Sequence, residues 1–76
     1  MTNKIYPFET TITKEQHPNL AKVKIKGDKW CRYHCADLHS SKMVYDDLDG
    51  TDYVIFQFRE SSDLTAFKIG FDVYDF

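Results

Sequence analysis

Long apolar runs are missing from this 76-residue chain, and none approaches the roughly 20 residues needed to cross a bilayer. The N-terminal stretch MTNKIYPFETTITKEQHP lacks the apolar segment of a secretory signal. Together these absences predict a cytoplasmic protein without membrane association. Cysteine is scarce: there are two, four positions apart, where a secreted domain this small would carry four, six or eight in disulfide pairs. Both thiols are therefore expected to be free. Internal repeats and low-complexity tracts are also lacking, so the length corresponds to one domain near the lower limit for folding without disulfides or a metal.

What the chain does have is apolar and aromatic mass. Apolar residues make up 42% and aromatics 16%, more than a disordered segment carries. Large rings bury much area per residue, which suits a core built from few side chains. Net charge is only −2, yet it is unevenly spread. Residues 1–45 sum to +4 and residues 46–76 to −6. Such a chain can draw its own halves together or offer faces of opposite sign to partners.

Residues 1–20, punctuated by Pro7 and Pro18, are the least regular stretch. We read them as a partly irregular N-terminal arm, in which TTIT (10–13) can form a short strand and Ile5, Tyr6 and Phe8 dock onto the domain or a partner. A single α+β domain is expected over residues 21–76. Its first segment, Ala21–Lys26, alternates polar and apolar and stops at Gly27. That pattern predicts a half-buried strand with Val23 and Ile25 inward and Lys22, Lys24 and Lys26 outward. Asp28 can then cap a helix running to about Leu38. Met43-Val44-Tyr45 opens another strand, and Tyr53–Phe58 is the strongest strand in the chain. Asp49-Gly50 lies between them and tolerates the positive φ of a tight hairpin turn, so the two strands are expected to pair antiparallel. Val54, Phe56 and Phe58 share one face, and Tyr53, Ile55 and Gln57 the other. Beyond Ser61-Ser62-Asp63 the signal divides: Leu64, Phe67 and Phe71 fit one helical face, but Phe67, Ile69, Phe71 and Val73 also alternate as in a strand.

The stretch YVIFQFRESSDLTAFKIGF resembles a pattern in small uncharacterised phage proteins. There an F-x-F strand is followed by an acidic turn, then D-A-x-x-F-K-L and an aromatic. Phe56, Phe58, Asp63, Phe67, Lys68, Ile69 and Phe71 occupy the corresponding places, and Trp30-Cys31 matches a Trp-Cys pair that opens an earlier helix. The resemblance covers about two-thirds of the chain. It implies a β-α-β-β-α domain: a three-stranded, mainly antiparallel sheet with two helices on one face. Leu64 and Gly70 depart from the pattern, which keeps open a C-terminal β-hairpin in place of the last helix. For function, the resemblance implies a counter-defence or host-interaction protein that binds and inhibits a bacterial protein.

Residues 30–39, WCRYHCADLH, are the densest candidate for chemistry. Cys31, Cys35, His39 and His17 carry the donor atoms zinc prefers. A single helix cannot surround an ion, however, and His17 is the only distant ligand. At about 100° per residue, Trp30, His34, Leu38, Cys31 and Cys35 span a sector of about 140°, the width of a core-facing stripe. Free cysteine packs as a small hydrophobe, so this stretch is expected to be a buried helix face, with His34 a core histidine. A nucleophilic role would draw on the dipole at the helix start and on His34, but it also needs a third group and a pocket. Asp46-Asp47 are adjacent and would point to opposite faces of a strand, which does not suit acid–base work. No enzyme activity, metal or cofactor is expected.

Two charged sets remain. Lys22, Lys24 and Lys26, extended by Lys29 and Arg32, could follow a phosphate backbone, although an acidic chain is an unusual nucleic-acid binder. On the acidic half, Tyr45, Asp46, Asp47, Asp49, Asp52, Tyr53, Asp72, Tyr74 and Phe76 combine carboxylates with aromatic anchors of the kind interfaces use. They form the expected contact surface for a protein partner. Spare aromatic surface on so small a core also favours a homodimer.

Overall fold

The computed structural model describes residues 5–46 and 51–72. Five elements follow one another: β1 (Phe8–Thr13), α1 (Leu20–His34), β2 (His39–Asp46), β3 (Thr51–Phe58) and α2 (Ser61–Gly70). The three strands form an antiparallel sheet in the order β1-β3-β2. This is the β-α-β-β-α arrangement expected from the sequence, and the last segment is a helix. The chain assembles that arrangement from partly different segments.

The first strand is not Ala21–Lys26. It is β1, which contains the short strand expected at TTIT (10–13) in the N-terminal arm and extends it back to Phe8, and it pairs with β3 from Phe8↔Phe58 to Thr13↔Tyr53. The lysine-rich segment instead begins α1. Asn19 caps that helix, its side-chain oxygen accepting the Lys22 backbone N–H at 3.1 Å. Alternation is outweighed there by a longer pattern: Leu20, Val23, Gly27 and Cys31 recur three and four residues apart and are all buried. Ala and Lys are good helix formers, and Lys24 pairs with Asp28 one turn on at 3.0 Å. Val23 is therefore inside as expected, but Ile25, two residues away, is 69% exposed.

β3 lies at the centre of the sheet. Val54, Phe56 and Phe58 are fully buried on one face, and both helices pack there. The Phe56 ring meets the backbone of Gly27 in α1 and the ring of Phe67 in α2, the latter with centroids 4.8 Å apart. Phe67 also touches Trp30, Phe58 and Phe71, with centroids 4.8–5.3 Å away. Tyr53, Ile55 and Gln57 occupy the opposite, helix-free face of the sheet and are half-buried.

Helix α1 ends at His34 rather than near Leu38, because Asp63 takes the next backbone donors. This buried carboxylate, in the first turn of α2, accepts the N–H groups of Ala36 and Asp37 at 3.0 Å each. It thereby fastens the start of α2 to the turn that leads into β2. Leu38, expected on the helix core face, lies beyond the helix and is half exposed.

A Cβ at Gly27 would overlap the Phe56 ring, so Gly27→Ala should cost about 1–3 kcal/mol of unfolding free energy. At Gly70 a Cβ would press on the half-buried Trp30 ring with a smaller overlap, so Gly70→Ala should cost less. Asp63→Ala leaves two backbone donors without their acceptor and should cost about 2 kcal/mol. Urea unfolding of the three variants checks this order. A Gly27→Ala protein as stable as the parent would contradict the packing described.

Candidate interaction surfaces

Residues 30–39 divide between burial and exposure. Cys31 is buried and Cys35 partly so, while Trp30 sits at the core margin and His34 is exposed. His34 is thus no core histidine: its ring stacks on the outer side of Trp30, with centroids 4.6 Å apart. Both thiols are free, as expected. Among the described residues no three His, Cys, Asp or Glu side chains come together to hold a metal ion. Cys31, Cys35, His39 and His17 therefore do not form the zinc set that was considered.

Cys31 also lies at the other end of the helix from the one expected. It belongs to the last turn of α1, where the helix dipole disfavours a thiolate. Burial pushes its ionisation strongly upward, and the Cys35 thiol beside it acts in the same direction. Burial also raises Cys35, although a hydrogen bond from Cys31 partly offsets that. Two thiols held protonated are poor nucleophiles.

The lysines have a different geometry from the one expected. Around α1 at about 100° per residue, Lys22, Ile25, Lys26, Lys29, Arg32 and Tyr33 fall within a sector of about 120°, and all six are exposed. Ile25 and Tyr33 are 69% and 72% exposed. The one acid of α1, Asp28, lies to the side of this sector, paired with Lys24 and accepting a hydrogen bond from the Ser41 hydroxyl of β2. Lys24, expected with the other cations, is turned by the helix about 160° away from Lys22, and it pairs with Asp28. The outer face of α1 is therefore a cationic ridge with two apolar side chains in it. Sequence reasoning listed its lysines but missed the ridge. The buried spacing Leu20-Val23-Gly27-Cys31 was the available signal.

The acidic and aromatic set is only partly brought together. Tyr45 and Asp52 are register partners at the hairpin end of β2 and β3. They line a groove of about 190 Å³ with Lys14, Pro18, Leu20 and Met43, beside the start of α1. Tyr45 is 68% exposed. Tyr53 belongs to the opposite face of the sheet, and Asp72 follows α2 and lines a separate groove with Thr10, Ile12 and Ile69. Of the four members whose side chains are described, Tyr45 and Asp52 are thus neighbours, while Tyr53 and Asp72 lie on other parts of the surface. Asp46 closes β2, and Asp47, Asp49, Tyr74 and Phe76 lie outside the described residues.

No helix among the described residues is long and apolar enough to cross a membrane. No protein-family model, curated protein or solved structure matches the chain.

The thiols give a pH prediction. A group whose ionisation is raised by folding binds its proton more tightly in the folded state. The stability it contributes is complete below the unfolded value, which is 9.0 for these cysteines, and is lost as pH rises above it. Unfolding free energy should therefore fall above pH 9.0, by up to about 1.4 kcal/mol per pH unit for each thiol. Cys31→Ala should flatten that slope in denaturant titrations. An unchanged slope would remove Cys31 as its source.

Proposed function

We propose that the protein is a non-enzymatic binding module that acts by protein–protein contact, with the groove at the β2–β3 hairpin end as its contact point. The observation that carries this reading is the placement of Tyr45. Its ring is 68% exposed beside the Asp52 carboxylate, and core-lining Leu20 and Met43 form the groove next to it. An exposed tyrosine beside a shallow groove of mixed polarity is the anchor type that dominates binding energy at interfaces. Asp46, Asp47 and Asp49 follow directly in sequence, so the partner face is expected to be basic. Carboxylates presented in this way can occupy the phosphate-binding surface of a DNA-binding protein.

The biological setting comes from the resemblance to small phage proteins. On that ground the partner is a bacterial protein, and binding inhibits it in a host-interaction or counter-defence role in the host cytoplasm. The reading needs no cofactor. Self-association through the same spare apolar surface belongs to it as well.

Affinity capture from bacterial lysate, run in parallel with the parent protein, Tyr45→Ala and Asp52→Asn, tests the proposal. The parent should retain a specific basic protein. Tyr45→Ala should weaken that complex at least tenfold, since truncating an anchor costs about 2 kcal/mol or more. Equal capture by all three proteins would remove the hairpin end as the contact point. Capture of nothing specific by the parent would sink the inhibitor reading.

A further inference from the structure

Strand β1 is an edge of the sheet, with β3 on one side and no strand on the other among the described residues. We propose that its outer side pairs with β1 of a second copy of this chain. The two strands run antiparallel about a two-fold axis at Thr10, and Phe8 of each copy fills a groove in the other.

The backbone hydrogen bonds identify the groups that take part. The Lys14 N–H donates to the Asp52 carbonyl next to β3 at 3.3 Å. In an antiparallel ladder alternate residues turn both backbone groups to the same neighbour. Phe8, Thr10 and Ile12 therefore face β3, and Glu9, Thr11 and Thr13 face outward. Thr13 is already satisfied: its N–H donates to Gln16 Oε1 at 3.0 Å, and its carbonyl accepts from the N–H groups of Gln16 and His17 at 3.0 and 3.2 Å. Glu9 and Thr11 are exposed, and among the described residues no turn or cap takes their backbone groups. Unpaired edge groups are a template for another strand. The usual guards are missing here, since Phe8–Thr13 contains no lysine or proline and its register with β3 is unbroken. β2, the other edge, carries Lys42 mid-strand, and a two-fold pairing centred there would set lysine against lysine.

Only one two-fold register uses all of these groups. With Thr10 on the axis, Glu9 of each copy lies opposite Thr11 of the other, and each such pair exchanges both N–H···O bonds. Thr13 then meets Pro7, so the ladder ends where one residue is already bonded and the other has no N–H. An axis at Glu9 would oppose two carboxylates and set Thr11 against Pro7. An axis at Thr11 would set Glu9 against Thr13, whose groups are taken.

The side chains fit the same register. Phe8 of the second copy stands opposite Ile12 on the helix-bearing face, in a non-hydrogen-bonded pair, where side chains are closest. Beside Ile12 lies a groove of about 330 Å³ between β1 and α2, lined also by Phe67, Phe71, Gln16 and Ile69. Phe8 is 37% exposed and Ile69 82% exposed, and the contact gives both an apolar neighbour. An extended segment of another protein could add to the same edge. A second copy is favoured because the chain carries its own complement: ring and groove stand at positions 8 and 12, equidistant from the axis at Thr10. The surface shares no lining residue with the groove at the hairpin end.

Sedimentation equilibrium of the full chain over about 1 μM to 1 mM tests the proposal. The mass should rise with concentration from 9.0 kDa towards twice that value. Thr11→Pro removes an outward donor without touching the β3 ladder, a placement that edge strands tolerate. It should weaken dimerisation about tenfold or more, since both copies lose a hydrogen bond. Ile69→Glu, at an exposed position on the groove, should weaken it as well, and unchanged far-UV spectra confirm the fold of both variants. Register is read by cross-linking under oxidised glutathione. Thr10→Cys places two thiols on the axis, with Cα atoms about 4.5 Å apart and within disulfide reach. Glu9→Cys sets them on a diagonal of about 7–8 Å, so only Thr10→Cys should give a covalent dimer. A monomer at every concentration would overturn the proposal, and if Thr11→Pro then abolished capture of a lysate protein, the edge would belong to a partner's strand. Dimerisation unaffected by Thr11→Pro and Ile69→Glu but lost in Tyr45→Ala would move the contact to the hairpin end. Cross-linking of Glu9→Cys in preference to Thr10→Cys would refute the register.

Discussion

The structure depends on one ring, Phe56, and on what is allowed to touch it. Three strands and two short helices give a 76-residue chain a single thin layer of core. Phe56 stands at its centre, on the middle strand, completely buried. On one side it meets the backbone of α1 at Gly27, and on the other the ring of Phe67 from α2. A side chain at position 27 would lift α1 off the sheet, and a smaller one at 67 would leave a cavity between sheet and helix. The helix layer is therefore positioned by a contact between a large residue and the smallest one. The other buried groups, Val23, Cys31, Val54 and Phe58 among them, fill the space that this contact sets.

Asp63 does for the chain path what Phe56 does for the packing. Because its carboxylate holds the backbone of Ala36 and Asp37, α1 must stop in time for the chain to turn into β2. That stop brings the Cys31–Cys35 turn against the core and leaves His34 and Leu38 outside. A buried carboxylate is stable only where donors surround it, and two peptide N–H groups from a distant segment provide them. The hydrogen bonds to one aspartate thus decide where a helix ends and which residues of WCRYHCADLH are inside.

This long-range control explains how much of the structure was legible in the sequence. The β3 strand and its inward face were legible because period-two apolar patterning over Val54, Phe56 and Phe58 has no helical alternative. The antiparallel β2–β3 pair was also legible, from its flanking strands and the Asp-Gly signal. Lys22–Lys26 misled because three lysines alternating with two β-branched residues match a strand over six positions, while the helical pattern needs twelve to declare itself. β1 was legible only in its TTIT half: FETTIT as a whole is polar enough to look like an arm, since an edge strand with a single buried residue, Ile12, needs little apolar content. Leu38 and His34 were misplaced because a local helix projection cannot include an acceptor 26 or 27 residues away in sequence.

The same correction changes which surfaces can act. As a strand, the lysines would have alternated with core residues along a sheet edge, where they mainly prevent unwanted pairing. As a helix they turn together to one side, and Ile25 turns with them. The charge asymmetry of the sequence thereby becomes spatial: cations gather along the outer side of α1, while Tyr45 and Asp52 mark the hairpin end, where β2 closes on Asp46. The cysteines, chemically the most conspicuous residues, are kept protonated by burial and so serve the core. What the described residues present outward is charge and a few exposed rings.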